Sequence, residues 1–335
     1  MTKFDKLLAE KGVLLADGAT GTTLFGMGLQ SGDAPELWNV DEPDKILAMH
    51  KGFLDAGADI ILTNTFGGNR HRLKLSNDEH RVRELNMAGV ALARKAVEQS
   101  GREVLVAGSI GPTGELFEPL GKLTYQEAVE AFEEQIDAMV EAGVDILWVE
   151  TMSAVEEMKA ASEAARGRGV PLVITASFDT AGRTMMGLPP KGLADLQGEF
   201  ACTPVAIGSN CGVGASDLLV AILEITQADP NAIVVAKGNC GIPQVKGKDL
   251  IYSGTPELMA DYTRLAVDAG ARIIGGCCGT SAQHLAAMRS ALDFHEKQTR
   301  PTTENVIERI GPLVSPPSNA SADGRGGRRR RERSA

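Results

Sequence analysis

"DAGADIILTNTFGG" (55–68) returns in altered form as "EAGVDILWVETMS" (141–153) and "DAGARIIGGCCGT" (268–280). Each copy opens on the end of a helical pattern rich in Ala, Glu, Leu and Lys. Each then passes a glycine placed to end that helix. A short apolar, β-rich run follows and stops at small or polar residues. Five more runs have that second half: "VLLADGATGT" from Val13, "VLVAGSIGPTGE" from Val104, "PLVITASFDT" from Pro171, "VAIGSNCGVG" from Val205 and "AIVVAKGNCG" from Ala232. Among the intervening helices, "TYQEAVEAFEEQIDAMVEAG" offers Thr124 as N-cap, Glu127 to complete a capping box and Gly143 near the C-cap. Eight strands that are uniformly apolar rather than alternating, with helices between them, predict a (β/α)8 TIM barrel. An open doubly wound sheet is the alternative. No GxGxxG follows the first strand, which weakens its nucleotide-binding version.

The bulk numbers suit one large soluble domain: 335 residues, 43% hydrophobic and 23% charged. The net charge of −10 is uneven. Residues 316–335 hold six arginines (Arg325, Arg328, Arg329, Arg330, Arg331 and Arg333) against Asp323 and Glu332, so the rest of the chain is more acidic still. An acidic body argues against nucleic acid as the main partner. "MTKFDKLLAE" lacks the apolar core of a signal peptide, and no run of apolar residues is long enough to span a membrane. The expectation is a cytoplasmic protein with small-molecule substrates, for which a homo-oligomer is an open assembly, and in which the five cysteines are thiols or metal ligands rather than a disulfide frame. Residues 1–300 are expected to form the barrel. Residues 301–335 form an extension whose Pro-, Ser-, Gly- and Arg-rich end predicts a disordered, solubilising tail.

Barrel chemistry gathers at the C-terminal ends of the strands. Those positions hold Asp17, Asn64 and Thr65, Ser109, Glu150, Ser177 with Asp179, Cys211, Asn239 with Cys240, and Cys277 with Cys278. Strands six and eight are one apart in the ring, so Cys211 can approach the vicinal pair. Adjacent strand residues face opposite ways, and Gly275, Gly276 and Gly279 permit the bend that turns both thiols to one side. Three converging thiolates favour a soft or borderline metal, with Zn²⁺ the first choice, and three ligands leave a tetrahedral position open. Buried small hydrophobes and a strained vicinal disulfide are the competing readings. Cys202 lies off the mouth. Cys240 is a candidate fourth ligand when no substrate is bound. Zinc on three thiolates is a weak Lewis acid toward water but holds a substrate thiol as thiolate, the nucleophilic form. Alkyl transfer to sulfur is the reaction this predicts. Asp17 and Glu150 stand where they can bind the ammonium of an amino-acid thiol, although Asp17 also reads as a turn residue in "DGAT".

At "DGATGT" (17–22), "TNTFG" (63–67), "GPTGE" (111–115), "ET" (150–151), "NCG" (210–212) and "GGCCGT" (275–280) the chain resembles the homocysteine S-methyltransferase family, from about residue 10 to 295. The resemblance implies a zinc-bearing barrel that methylates L-homocysteine to L-methionine. Cys211, Cys277 and Cys278 match the zinc ligands, Asp17 and Glu150 match homocysteine contacts, and Asn239 matches a position near both. The chain is most similar to short bacterial members of the betaine–homocysteine type, which makes betaine the expected donor and dimethylglycine the product. Its strand-end motifs also resemble the first domain of cobalamin-dependent methionine synthase. A methylfolate or methylcobalamin donor supplied by separate proteins, or a sulfonium donor, is therefore the alternative. A zinc-stapled binding module is the distant one. Betaine wants aromatic faces around its ammonium; Trp38 is the cage candidate. Thr151 stands where the animal betaine enzymes carry an aromatic residue.

Overall fold

The computed structural model describes residues 1–246 and 249–316. Among the described residues, ten strands occur in the order β1 (Leu14–Leu15), β2 (Ile60–Leu62), β3 (Leu105–Ile110), β4 (Ile146–Met152), β5 (Leu172–Ala176), β6 (Ala206–Cys211), β7 (Val234–Gly238), β8 (Pro243–Lys246), β9 (Asp249–Tyr252) and β10 (Ile273–Gly276). Eight of them form one parallel sheet in the order β1-β10-β7-β6-β5-β4-β3-β2. A parallel bridge from Ala16 to Ile60 joins its two ends, which closes the barrel. The remaining pair, β8 and β9, is an antiparallel hairpin set between β7 and the Pro256–Ala269 helix.

The repeated connection does what its sequence predicts. Gly57, Gly143 and Gly270 adopt φ of 100°, 90° and 102°, a backbone that residues with a Cβ avoid. The residue two places on then locks the next strand into the barrel floor. Asp59 Oδ2 accepts from Leu15 N at 2.9 Å, and Asp145 Oδ2 accepts from Val106 N at 2.9 Å. Lys11 and Arg289 neutralise Asp59, at 2.6 and 3.0 Å, while Arg94 neutralises Asp145 at 2.8 Å. In the third copy Arg272 replaces the acid and donates to Gly12 O instead, at 2.9 Å.

Alternate strand residues fill the barrel: Leu14, Ile60, Leu105, Trp148, Val173 and Val235 are among those pointing inward. The first helix, Lys3–Lys11, adds Phe4, Leu7 and Leu8 to this cluster and stoppers the floor. Outward residues such as Ile61, Leu147 and Ile207 pack under the helices, so each strand is apolar on both faces. Past the barrel, the Thr303–Ile310 helix packs on the Ala215–Ala228 and Pro256–Ala269 helices. Asp217 then accepts from Val314 N and Ser315 N. The arginine-rich stretch falls in 317–335, outside the described residues.

One buried group works against the fold in acid. His50, in the Pro43–Asp55 helix, is fully buried, and neither ring nitrogen has a hydrogen-bond partner among the described residues. Burial pushes its pKa down to about 4. The unfolded chain takes up the proton that the folded chain refuses. Stability is therefore complete above the unfolded value of about 6.5 and declines as pH falls toward 4. Urea denaturation of His50→Leu and wild type should give a stability difference that shifts in the variant's favour by up to about 3 kcal/mol across that window. A pH-independent difference would show that His50 charges freely.

Candidate active site

Two backbone departures bring three sulfurs together. β6 ends on Cys211, whose φ of 62° is left-handed. β10 stops at Gly276, and the chain turns at once, with Thr280 N donating to Cys277 O at 3.0 Å and Gly279 at φ 82°. A Cβ on Gly276 would sit 2.2 Å from Thr280, so this turn requires glycine there. β7 lies between the two strands and registers both: Cys211 pairs with Gly238, whose carbonyl accepts from Cys277 N at 2.7 Å. The Sγ atoms of Cys211, Cys277 and Cys278 all lie within 4.8 Å of one another, with Cys211 and Cys278 4.0 Å apart. Zinc–sulfur bonds of about 2.3 Å in a tetrahedron space sulfurs roughly 3.8 Å apart, so the cluster fits a thiophilic metal with little movement. The neighbouring Cys211 and Cys277 thiols, and after them Tyr252 at the end of β9, lower the Cys278 pKa.

Cys240 does not join this cluster. Its backbone N–H donates to Cys278 O at 2.9 Å, but its thiol points at Gly254, where an added Cβ would lie 2.6 Å from the sulfur. Burial raises the Cys240 thiol to about 11, which keeps it protonated. The candidate fourth ligand thus stands apart from the three clustered thiols and packs in the core.

The carboxylates stand across the mouth. Glu150 Oε1 accepts from Ser109 Oγ at 2.5 Å, and Oε2 accepts from Asn210 Nδ2 at 3.3 Å. Burial raises its pKa to about 7. Asp17 Oδ2 accepts from Leu62 N at 2.8 Å, and burial raises its pKa to about 6. Between them lies a cation that the sequence reading did not single out. Lys237 Nζ is 3.4 Å from Asp17 Oδ1 and donates to Gly276 O at 2.7 Å and Gly18 O at 3.2 Å. Burial alone would favour its neutral form. Asp17, Cys277 and Glu150 together outweigh that and raise its pKa. Asp17 thus already holds a cation, whereas Glu150 lines the open pocket.

Asn210 ties the acid side to the thiol side. It accepts from Thr151 N at 2.8 Å and from Thr175 Oγ1 at 2.7 Å, and it donates to Thr151 Oγ1 at 2.7 Å. These bonds hold Thr151 at φ 62°, a costly conformation for a β-branched residue. Asn239 donates to Gly212 O at 2.6 Å, beside Cys211, and its buried Oδ1 has no partner among the described residues. Trp38 does not line the pocket; Lys45 Nζ sits 4.3 Å above its ring. The pocket itself, about 430 Å³, joins the three thiols, Glu150 and Lys237 to residues from the loops after β1 and β2. Lys237 had a visible signal, since a lysine closing an apolar strand needs a buried partner. Glu36 in the β1 loop had none.

Fold and site together define a (β/α)8 barrel with a metal-competent trithiol centre open to a substrate pocket. Residues 14–292 match the model of the homocysteine S-methyltransferase family, and the chain belongs to that family. It superposes on the metallated form of the homocysteine methyltransferase MmuM from Escherichia coli with a TM-score of 0.71 at 26% identity, covering 86% of this chain and 99% of that one. The oxidized form of the same protein gives a TM-score of 0.73 at 25% identity, over 87% and 99%. The methionine synthase of Mycobacterium tuberculosis is 28% identical over 299 residues, 84% of this chain and 24% of that protein. That of Mycobacterium leprae is 27% identical over 315 residues, 88% and 26%. The chain therefore spans about a quarter of the length of these curated relatives.

The buried Lys237–Asp17 pair gives a direct test of the site's electrostatics. Lys237→Met strands a desolvated carboxylate and should cost about 3–5 kcal/mol in urea denaturation. Adding Asp17→Asn should restore most of it. Additive losses in the double variant would mean that the two groups do not neutralise each other.

Proposed function

We propose that the protein transfers a methyl group to the thiol of L-homocysteine, giving L-methionine, with betaine as donor and dimethylglycine as the second product. The observation that carries this reading is the trithiol cluster in one pocket with a buried carboxylate, Glu150. Zinc held by Cys211, Cys277 and Cys278 would supply the positive charge that keeps a substrate thiol deprotonated at neutral pH. Glu150 receives the substrate ammonium, and Ser109 and Asn210 hold its two oxygens in place for that pairing. The backbone N–H groups of the glycine-rich loops bind the carboxylate. Lys237 offsets the negative charge that thiolates and carboxylates bring to the site. The substrate sulfur attacks the donor methyl in line. One S–C bond forms, the methyl–nitrogen bond breaks, and its electron pair leaves on nitrogen as a neutral amine. No general base is needed once the thiol is ionised. Residues 1–300 carry this chemistry.

A second reading is favoured by the relatives named methionine synthase: the same acceptor chemistry, with the methyl group brought from methylfolate by a corrinoid on a separate protein. A closed zinc staple has less support, because three cysteines and no fourth His, Cys, Asp or Glu gather among the described residues.

Cys211→Ser should lose bound zinc and homocysteine methylation together, read by metal analysis and a methionine assay. Full turnover by a metal-free variant would overturn the reading. A donor panel on purified protein separates the donors: methylation from betaine or a sulfonium without cobalamin excludes the corrinoid route.

A further inference from the structure

The part of the pocket built by the loops after β1 and β2 contains charges that the acceptor chemistry does not use. Glu36 is only 4% exposed yet lines the pocket. Its Oε1 accepts from Gly67 N at 2.6 Å, while Oε2 receives no hydrogen bond from any other described residue. No described lysine or arginine lies within ion-pair distance of it; Arg72 is the charge that acts on it through space. Burial raises its pKa. Phe66 and Arg72 line the same wall. The Phe66 ring is held against Gly111, where an added Cβ would approach it to 2.6 Å, and 38% of the residue remains exposed. The Arg72 guanidinium lies 3.1 Å from the Cβ position of Gly114 and makes no hydrogen bond among the described residues.

We infer that Glu36, Phe66 and Arg72 form the methyl-donor subsite and that it is built for a small onium zwitterion. This rests on the homocysteine methyltransferase reading above. A quaternary ammonium or a sulfonium has no N–H or S–H to donate. What it can use is negative potential and an aromatic face. Glu36 supplies the first without needing a donor in return, and Phe66 supplies the second. Arg72 presents a fork for the donor's carboxylate. A neutral methyl carrier would leave Glu36 desolvated and unpaired, which is costly. The cavity volume of 430 Å³ suits two ligands of amino-acid size. On transfer the onium centre becomes neutral, so the product loses its attraction to Glu36 and the subsite favours its release.

The test is calorimetric binding to zinc-loaded protein, with homocysteine methylation assayed alongside. Two onium ligands, betaine and S-methylmethionine, are each compared with the uncharged carbon isostere, 3,3-dimethylbutanoate and 2-amino-5-methylhexanoate. Wild type should bind at least one onium ligand about tenfold more tightly than its isostere or better. Glu36→Gln keeps an acceptor for Gly67 N–H but removes the charge; it should erase that preference and leave zinc content and homocysteine affinity unchanged. Arg72→Gln should weaken an onium ligand and its isostere equally. The subsite is overturned if neither onium ligand binds, if Glu36→Gln keeps the preference, or if it weakens both members of a pair alike. Onium binding without methylation would instead sink the functional reading and leave the subsite standing. Whichever pair shows the preference identifies the donor as an ammonium or a sulfonium.

Discussion

Three sulfur atoms occupy one small volume because a single strand, β7, spaces β6 from β10 and hydrogen-bonds to both. Everything at the mouth follows from that spacing. The parallel register sets Cys211 and Cys277 on either side of Gly238. Left-handed backbone at Cys211 and Gly279 then tips the thiols inward. Neither device works without the other. A continuous strand would point Cys277 and Cys278 to opposite faces. A turn without the β7 spacer would have no third thiol to meet.

The same closeness creates an electrostatic problem that the barrel solves with a buried lysine. Ionised thiols, Asp17 and Glu150 would bring several negative charges into one small volume, and burial resists the ionisation of both carboxylates. Lys237 sits in hydrogen-bond contact with Gly18 and Gly276 and in ion-pair contact with Asp17, at the junction of β1, β7 and β10. Its position divides the acids by role. Asp17 is committed to Lys237, and its other oxygen to Leu62 N, so it shapes the floor of the site. Glu150 is held by neutral donors, Ser109 and Asn210, and has no ion-pair partner among the described residues. Glu36 has the same character on the opposite loops: one backbone donor, a pocket-facing side chain and no close cation.

Much of the architecture was legible in the chain. The "DAG" and "EAG" connections mark helix ends because only glycine adopts φ near +100° cheaply, and the strands announce themselves by being apolar on both faces. The cysteine cluster was legible too, because barrel topology alone places the ends of the sixth and eighth barrel strands near each other. Three other points were not. Cys240 follows β7 directly, and its sequence position between the thiol-bearing strands looks favourable, but its thiol turns to Gly254 because Gly241, at φ 76°, redirects the chain into the hairpin. Trp38 looked available for a ligand, but Lys45, one helical approach away, covers its face. Asn210 reads as a neighbour of a cysteine; only the fold reveals that it braces a strained Thr151.

Sequence by itself determined the period of the chain, its strand and helix content, and which side chains arrive at strand ends, because capping and hydrophobic patterning are local. Tertiary structure alone decided which of those side chains meet water, a partner or each other. In the linear text Glu36 is indistinguishable from an ordinary charge, and Asp17, Glu150 and Lys237 show only that they close apolar strands. Their roles come from desolvation and from the few neighbours left to answer each charge, and those neighbours lie tens to hundreds of residues away along the chain: Glu36 meets Gly67, Asp17 meets Leu62, and Lys237 meets Asp17.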